Sequence, residues 1–114
     1  MANLRYIGDV AVVSFDAAKL SDIDYVTKMP EYADQIVAEK KKCLVFDFSK
    51  IDYIPSITVG YIMNAYLTLK EANLGFYLCN LEKTPRRIFD LALGKTGIPI
   101  EDNLDTIVAQ YSGA

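Results

Sequence analysis

The chain has 114 residues, of which 52% are hydrophobic and 24% are charged, so it is long and apolar enough for one domain with one core. Its net charge of −3 argues against binding to nucleic acid or to an anionic membrane through a broad positively charged surface. The sequence contains no histidine. This excludes Ser-His and Cys-His catalytic pairs and removes the commonest zinc ligand.

The first predicted element is a β-hairpin. Two β-rich runs, over 3–7 and 10–15, flank the pair Gly8-Asp9. The N-terminus lacks a signal-peptide pattern, and no apolar stretch approaches transmembrane length. We therefore expect a cytoplasmic protein.

A helical stretch follows the hairpin. Ser21 with Asp24 three residues later resembles a capping box that starts a helix. Pro30 must either kink this helix or begin a second helical piece, since proline suits the first helical position. The basic run Lys40, Lys41 and Lys42 is predicted to end the helix, where cations suit the negative end of its dipole.

A buried strand and a second helix come next. "CLVFDF", residues 43–48, is a short continuous apolar run, as in a strand covered on both faces. "SITVGYIMNAYLTLKEAN", residues 56–73, has apolar residues at steps of three and four, and Gly75 follows as a stop signal. The residues predicted to face the core are Val59, Ile62, Met63, Tyr66 and Leu69. Those predicted to point away are Tyr61, Asn64 and Thr68.

The last third of the chain repeats the alternation of strand and helix. "FYLCNL", residues 76–81, is predicted to be a strand, and Thr84-Pro85 caps and begins a helix. A short strand is predicted at 98–100. The final helix, "NLDTIVAQY", is capped by Asp102 or Asn103.

The predicted order β-β-α-β-α-β-α-β-α indicates a single α/β domain over 1–114. Alternating strands and helices require a largely parallel sheet, here of four to five strands, and the opening hairpin makes it mixed. Cys43 and Cys79 each lie in an apolar run without Cys-x-x-Cys spacing, and we expect buried thiols in a reducing compartment, with a disulfide or redox pair as the alternative.

The sequence offers little support for catalysis. No glycine-rich phosphate loop follows "CLVFDF". Four carboxylates lie at strand ends or in connectors, and acid–base work would need two of them to converge in a pocket. These residues are Asp16, Asp22, Asp47 and Asp52. We therefore expect a protein that is not an enzyme and that has no metal or cofactor. A small-ligand binding domain or enzyme would need a pocket of convergent polar groups, which the sequence does not indicate.

Ser56 is the most informative single residue. It follows Pro55 at the start of the second helix, and serine is a good N-cap because its oxygen accepts from the N–H groups two and three residues later. Those belong to Thr58 and Val59. The same position, beside free N–H groups and the positive end of the helix dipole, would tolerate a phosphate on that oxygen. Local geometry alone favours the capping role.

The central sequence "CLVFDFSKIDYIPSITVGYIMNAY" resembles STAS domains of the anti-sigma factor antagonist (anti-anti-sigma factor) family. The family pattern is an apolar strand ending in Asp, a loop, and then Asp-Ser-Ser/Thr-Gly-Leu-Gly opening a helix. Asp47, Ser56, Val59 and Gly60 match it. The family's helix "Lys-Arg-Leu-Phe-Asp" is matched downstream by Arg86, Arg87, Ile88, Phe89 and Asp90.

The resemblance implies a regulatory binding module in transcription control. In that family the matching serine is phosphorylated by a partner kinase that is also the anti-sigma factor, and a phosphatase resets the domain. It thus implies that Ser56 is phosphorylated and that the start of the helix binds the kinase. From the net charge we expect no nucleic acid or membrane partner. The residues assigned to this contact are Asp47, Pro55, Ser56, Ile57, Thr58, Gly60, Tyr61 and Asn64.

One alternative follows from the departures from the family pattern. Pro55 stands where the family has an aspartate, and Ile57 and Thr58 replace Ser/Thr and Gly. The alternative is a scaffold or sensor subunit that works without phosphorylation, through self-association as a homodimer or larger oligomer or by binding another regulator.

Overall fold

A computed structural model describes residues 3–15, 26–49, 51, 54–80, 98–101 and 103–111. Several predicted features lie outside the described residues. They are the capping box at Ser21 and Asp24, the carboxylates of Asp16, Asp22 and Asp52, and the helix after Thr84-Pro85 with its Arg-Arg-Ile-Phe-Asp sequence.

The described strands form one five-stranded sheet whose spatial order follows the chain, β1-β2-β3-β4-β5. The strands are β1 (Asn3–Ile7), β2 (Val10–Ser14), β3 (Cys43–Asp47), β4 (Gly75–Cys79) and β5 (Ile100–Glu101). β1 pairs antiparallel with β2 through the Gly8-Asp9 turn, where Gly8 adopts a φ of +61° that suits glycine. The other neighbours pair in parallel. The predicted mixed, mostly parallel α/β fold is confirmed.

Three helices belong to the described residues: α1 (Met29–Ala38), α2 (Ser56–Glu71) and α3 (Leu104–Gln110). Pro30 lies in the first turn of α1, so it begins a helical piece, as one of the two predicted options had it. Asn103 is the N-cap of α3, because its side-chain oxygen accepts from the N–H of Asp105 at 2.8 Å.

Alternating side chains of the sheet divide the molecule into layers. In β3, Leu44 and Phe46 face one side, where α1 and α2 pack, while Cys43 and Val45 face the other. That second side is covered by α3 through Ile107. The central strand β3 is thus covered on both faces, which explains why it is apolar up to its last residue, Asp47.

Both helices on the first face end in the same way. After α2, Asn73 adopts φ +60°, its N–H donates to the carbonyl of Lys70, and the N–H of Leu74 donates to that of Leu69. After α1, Lys40 adopts φ +58° with the equivalent pair of bonds. These are Schellman caps, in which the left-handed residue satisfies the last carbonyls.

Two sequence predictions about helix ends were therefore wrong. Asn73 rather than Gly75 ends α2, and Gly75 begins β4, where its N–H donates to the carbonyl of Lys42. The lysine run lies beyond α1, whose last turn has no basic residue. Its side chains instead make surface contacts: Lys41 lies over the ring of Tyr6, and Lys42 pairs with Asp9 at 3.6 Å.

Candidate protein-binding site at the start of helix α2

The connector from β3 to α2 is fixed to the core at three points. Phe48, Ile51 and Ile54 are buried, and the Ile51 N–H donates to the carbonyl of Phe48 at 2.9 Å. Phe48 also contacts the rings of Phe15 and Phe46. The apolar spacing of the connector therefore determines where α2 begins.

The first turn of α2 is capped by backbone. Pro55 is the N-cap residue, with φ −62° and ψ 151°, and its carbonyl accepts from the N–H groups of Thr58 and Val59 at 3.0 and 3.3 Å. Ser56 is the first helical residue. The prediction that Ser56 is the N-cap was wrong by one position, because proline, whose φ is already fixed near −65°, takes that place.

The residues assigned to the partner contact differ in exposure. Ile57, 54% exposed, Gly60 and Asn64 lie at the surface, whereas Pro55 is half-buried. Thr58 is completely buried, so its side chain offers no surface to a partner.

The predicted inner and outer faces of α2 are partly corrected. Ile62 and Leu69 are buried as expected, and Val59, Met63 and Tyr66 are partly buried against the core. Tyr61 was expected to point away from the core, but it is half-buried and also packs against it. The reason is that both flanks of α2, as well as its centre, contact the core.

The exposed side of the first fourteen residues of α2 is uncharged and partly aliphatic. No charged residue occurs between Ser56 and Leu69, and Leu67 is 48% exposed. Depletion of charge together with exposed aliphatic residues is typical of protein-binding surfaces. Leu67 was not among the predicted contact residues, although the absence of charge over four turns of helix is visible in the sequence.

Asp47, at the end of β3, joins the ends of three strands. One carboxylate oxygen accepts from the N–H of Ser49 and from the amide of Asn80, both at 3.0 Å, and the other accepts from the hydroxyl of Ser14 at 3.4 Å. The residue is 8% exposed. Asp47 therefore stabilises the junction of the three strands, and very little of its side chain is exposed to a partner.

The two cysteines are buried free thiols, as predicted. Burial raises the pKa of each to about 12, with the Asp47 charge adding to the effect at Cys79. Within the described ranges no cluster of cysteines and carboxylates could hold a metal ion. No helix of the described part is long and apolar enough to cross a membrane.

The sequence matches the family model of the STAS domain over residues 5–107. That range includes β2 to β5, the Asp47 cluster and the whole of α2. A comparison with curated proteins gives no match.

Solved structures agree with this fold at low sequence identity. A putative anti-sigma factor antagonist from Thermotoga maritima superposes with a TM-score of 0.77 at 13% identity, over 97% of this chain and 94% of that one. The unphosphorylated anti-sigma factor antagonist SpoIIAA gives 0.77 at 14% identity, over 100% and 99%. A chain of the stressosome, a signal integration and transduction hub, gives 0.77 at 18% identity, over 96% of each chain.

Proposed function

The chain belongs to the STAS domain family, and from this premise we propose that it is a regulatory protein-binding domain that binds an anti-sigma factor with serine kinase activity. The start of α2 is the contact surface, and phosphorylation of Ser56 is the switch. In this role the chain is a binding partner and a kinase substrate, and it catalyses no reaction itself.

One observation carries the proposal: the surface of α2 from Ser56 to Leu69 is uncharged and exposes aliphatic side chains. Ile57 lies directly after Ser56 and is more than half exposed. A partner that covers Ile57 and Gly60 would remove the surroundings of position 56 from water. An interface of this kind accepts a neutral hydroxyl at its edge, but it penalises a charge that must be desolvated.

The switch follows from electrostatics. Phosphorylation adds about −1.5 to −2 charges at neutral pH. Between Ser56 and Leu69 the chain has no cation of its own that could pair with the phosphate. Such a change therefore acts on the interface directly and needs no rearrangement of the fold. That SpoIIAA is known in unphosphorylated and phosphorylated forms supports this reading for the present chain.

Incubation with the candidate kinase and ATP tests the proposal. We expect intact-mass measurement to show one added phosphate, which is lost in Ser56→Ala and retained in the matched control Ser49→Ala. Ser56→Asp is expected to weaken kinase binding by about tenfold or more, since a buried unpaired charge costs well above 1.4 kcal/mol. Phosphate on another residue, or unaltered binding by Ser56→Asp, would overturn the switch.

A scaffold that works without phosphorylation is the second candidate, and Pro55 is the observation that favours it. The family's aspartate at that position would place a carboxylate beside the serine, whereas Pro55 supplies only a backbone carbonyl to cap α2. The likeness to a stressosome chain fits a role in an assembly. Normal function of Ser56→Ala together with self-association would favour this candidate.

A further inference from the structure

We propose that two copies of the chain associate through the outer face of α2, as an antiparallel helix pair. The surface, here called the outer stripe, consists of Ile57, Gly60, Asn64, Leu67 and Glu71. Its regulatory consequence rests on the proposed function, because the same surface is assigned to the kinase partner, but the association itself does not.

The outer stripe is one continuous face of the helix. Its residues follow one another at steps of three and four, which places them within an arc of about 80° on a helix that turns about 100° per residue. All five residues are exposed. The step pattern is the one by which helices pair along their length at a small crossing angle.

Shape makes the stripe complementary to itself. A Cβ atom added to Gly60 would meet nothing within 4 Å, so the helix surface has an open hollow there. Leu67, two turns later, projects as an exposed knob. In an antiparallel pair centred on Asn64, Leu67 of each copy lies beside Gly60 of the other. The knob then fills the hollow twice, as a two-fold axis requires.

Asn64 lies at the centre of this arrangement. Its side chain makes no hydrogen bond to the described part of the chain, whereas an amide can donate and accept at once. Two Asn64 side chains facing each other on the axis can therefore pair. A single polar residue of this kind in an apolar helix seam is a known way of fixing register.

Charge also favours the antiparallel orientation. In the same register, Glu71 of one copy lies opposite Ile57 of the other, at the positive end of its helix. No like charge opposes it there, because the first fourteen residues of α2 are uncharged. A parallel pair would instead bring the two Glu71 carboxylates together.

The size of the surface sets the expected strength. α2 has 16 residues and is therefore about 24 Å long. A single helix pair of this length buries less than the roughly 800 Å² per partner of a standard stable interface. We therefore expect a weak, concentration-dependent dimer with a dissociation constant above about 1 μM. Such a dimer would keep the surface around Ser56 covered until a tighter partner displaces the second copy.

Sedimentation equilibrium of the purified full chain, from about 5 μM to 1 mM, tests this inference. We expect a reversible monomer–dimer equilibrium. Leu67→Arg and Gly60→Leu should each weaken it by about tenfold or more, since they remove the knob or fill the hollow at the centre of the contact. Gly60→Leu meets open space in the monomer, so circular dichroism should show it folded. Val37→Arg, at another exposed aliphatic residue, on α1, is the matched control and should leave the equilibrium unchanged.

The outcomes separate this inference from the proposed function. A chain that stays monomeric up to 1 mM, or a dimer that is unaffected by Leu67→Arg and Gly60→Leu, overturns the inference even if the kinase phosphorylates Ser56. A dimer that these variants disrupt supports it even if no kinase acts on Ser56. If both hold, Leu67→Arg should make phosphorylation faster at high protein concentration, where the wild-type surface is covered.

Discussion

Burial determines the chemistry of the two thiols. Cys43 and Cys79 are fully inaccessible to water, and the pKa of each is raised to about 12. Only the thiolate is a good nucleophile. We expect both cysteines to react with a disulfide reagent at pH 8 at least ~100-fold more slowly in the folded than in the unfolded protein. Labelling of either residue at its unfolded rate would contradict this.

The same thiols make stability fall at alkaline pH. Their ordinary pKa is 9.0, so below that value the folded and unfolded states both keep the protons. Between pH 9 and about 12 the unfolded state loses protons that the folded state retains, and the free energy of unfolding decreases as pH rises. Burial also raises the pKa of Tyr111, in the same direction. Urea unfolding from pH 7 to 11 measures this loss. Cys79→Ala should make the free energy of unfolding decrease less steeply with pH.

Asp47 illustrates what the sequence could predict at a single position. Its place at the end of an apolar strand followed from the pattern of residues 43–48. Its hydrogen-bond partners did not, since Ser14 and Asn80 each lie 33 residues away along the chain. They meet only because the parallel strands end at the same edge of the sheet. Ser56 shows the complementary case: its place at the helix start was correct, and the capping atom belongs to the residue before it.

At the scale of elements, the left-handed residues that end α1 and α2 should limit the stability of the protein. Lys40 has a left-handed backbone, which costs a residue with a Cβ about 1–2 kcal/mol and glycine nothing. After the greater chain entropy of unfolded glycine is subtracted, we expect Lys40→Gly to raise the free energy of unfolding by about 0.5–1 kcal/mol. Asn73→Gly should raise the free energy of unfolding by less, because asparagine tolerates the left-handed conformation.

Lys41→Gly is the control for this comparison. Lys41 has an ordinary φ, and its side chain lies over the ring of Tyr6 at 5.0 Å. Its replacement should destabilise the protein. Equal effects of glycine at positions 40 and 41 in urea unfolding would show that the left-handed backbone is unimportant.

The limits of the strands were predicted more reliably than the residues that end the helices. The strands were placed to within one or two residues, because apolar runs between turn residues mark both of their limits. The residues that end α1 and α2 were misassigned, because the signals used were the lysine run and Gly75, whereas the helices end at the left-handed residues Lys40 and Asn73. The face of α2 was harder still: Thr58, although polar, is completely buried.

At the scale of the whole molecule, Gly75 lies where the sheet meets the C-terminal layer. An added Cβ would overlap the hydroxyl of Tyr111 and lie 2.9 Å from its Cζ atom. That hydroxyl lies 3.2 Å from the hydroxyl of Tyr77, which donates to Gln110. Gly75→Ala must therefore shift the ring of Tyr111, at a cost of about 1–3 kcal/mol.

A double-variant cycle tests this contact. Once Tyr111→Ala has removed the ring, Gly75→Ala should cost much less than it does alone, because nothing is left to overlap. Urea unfolding of the two single variants and the double variant measures the difference. Additive effects would show that Gly75 and Tyr111 do not contact each other in solution.

The strand order has a consequence for how the chain folds. Every described strand pairs with the strand before or after it in the sequence, so no pairing among the described strands skips a strand. During synthesis from the N-terminus it can therefore grow one strand at a time, with each helix closing over the strand just added. α2 can pack against β4, a strand that it contacts, only after β4 has left the ribosome. The surface around Ser56 should accordingly become available to a partner late, when about two thirds of the chain has emerged.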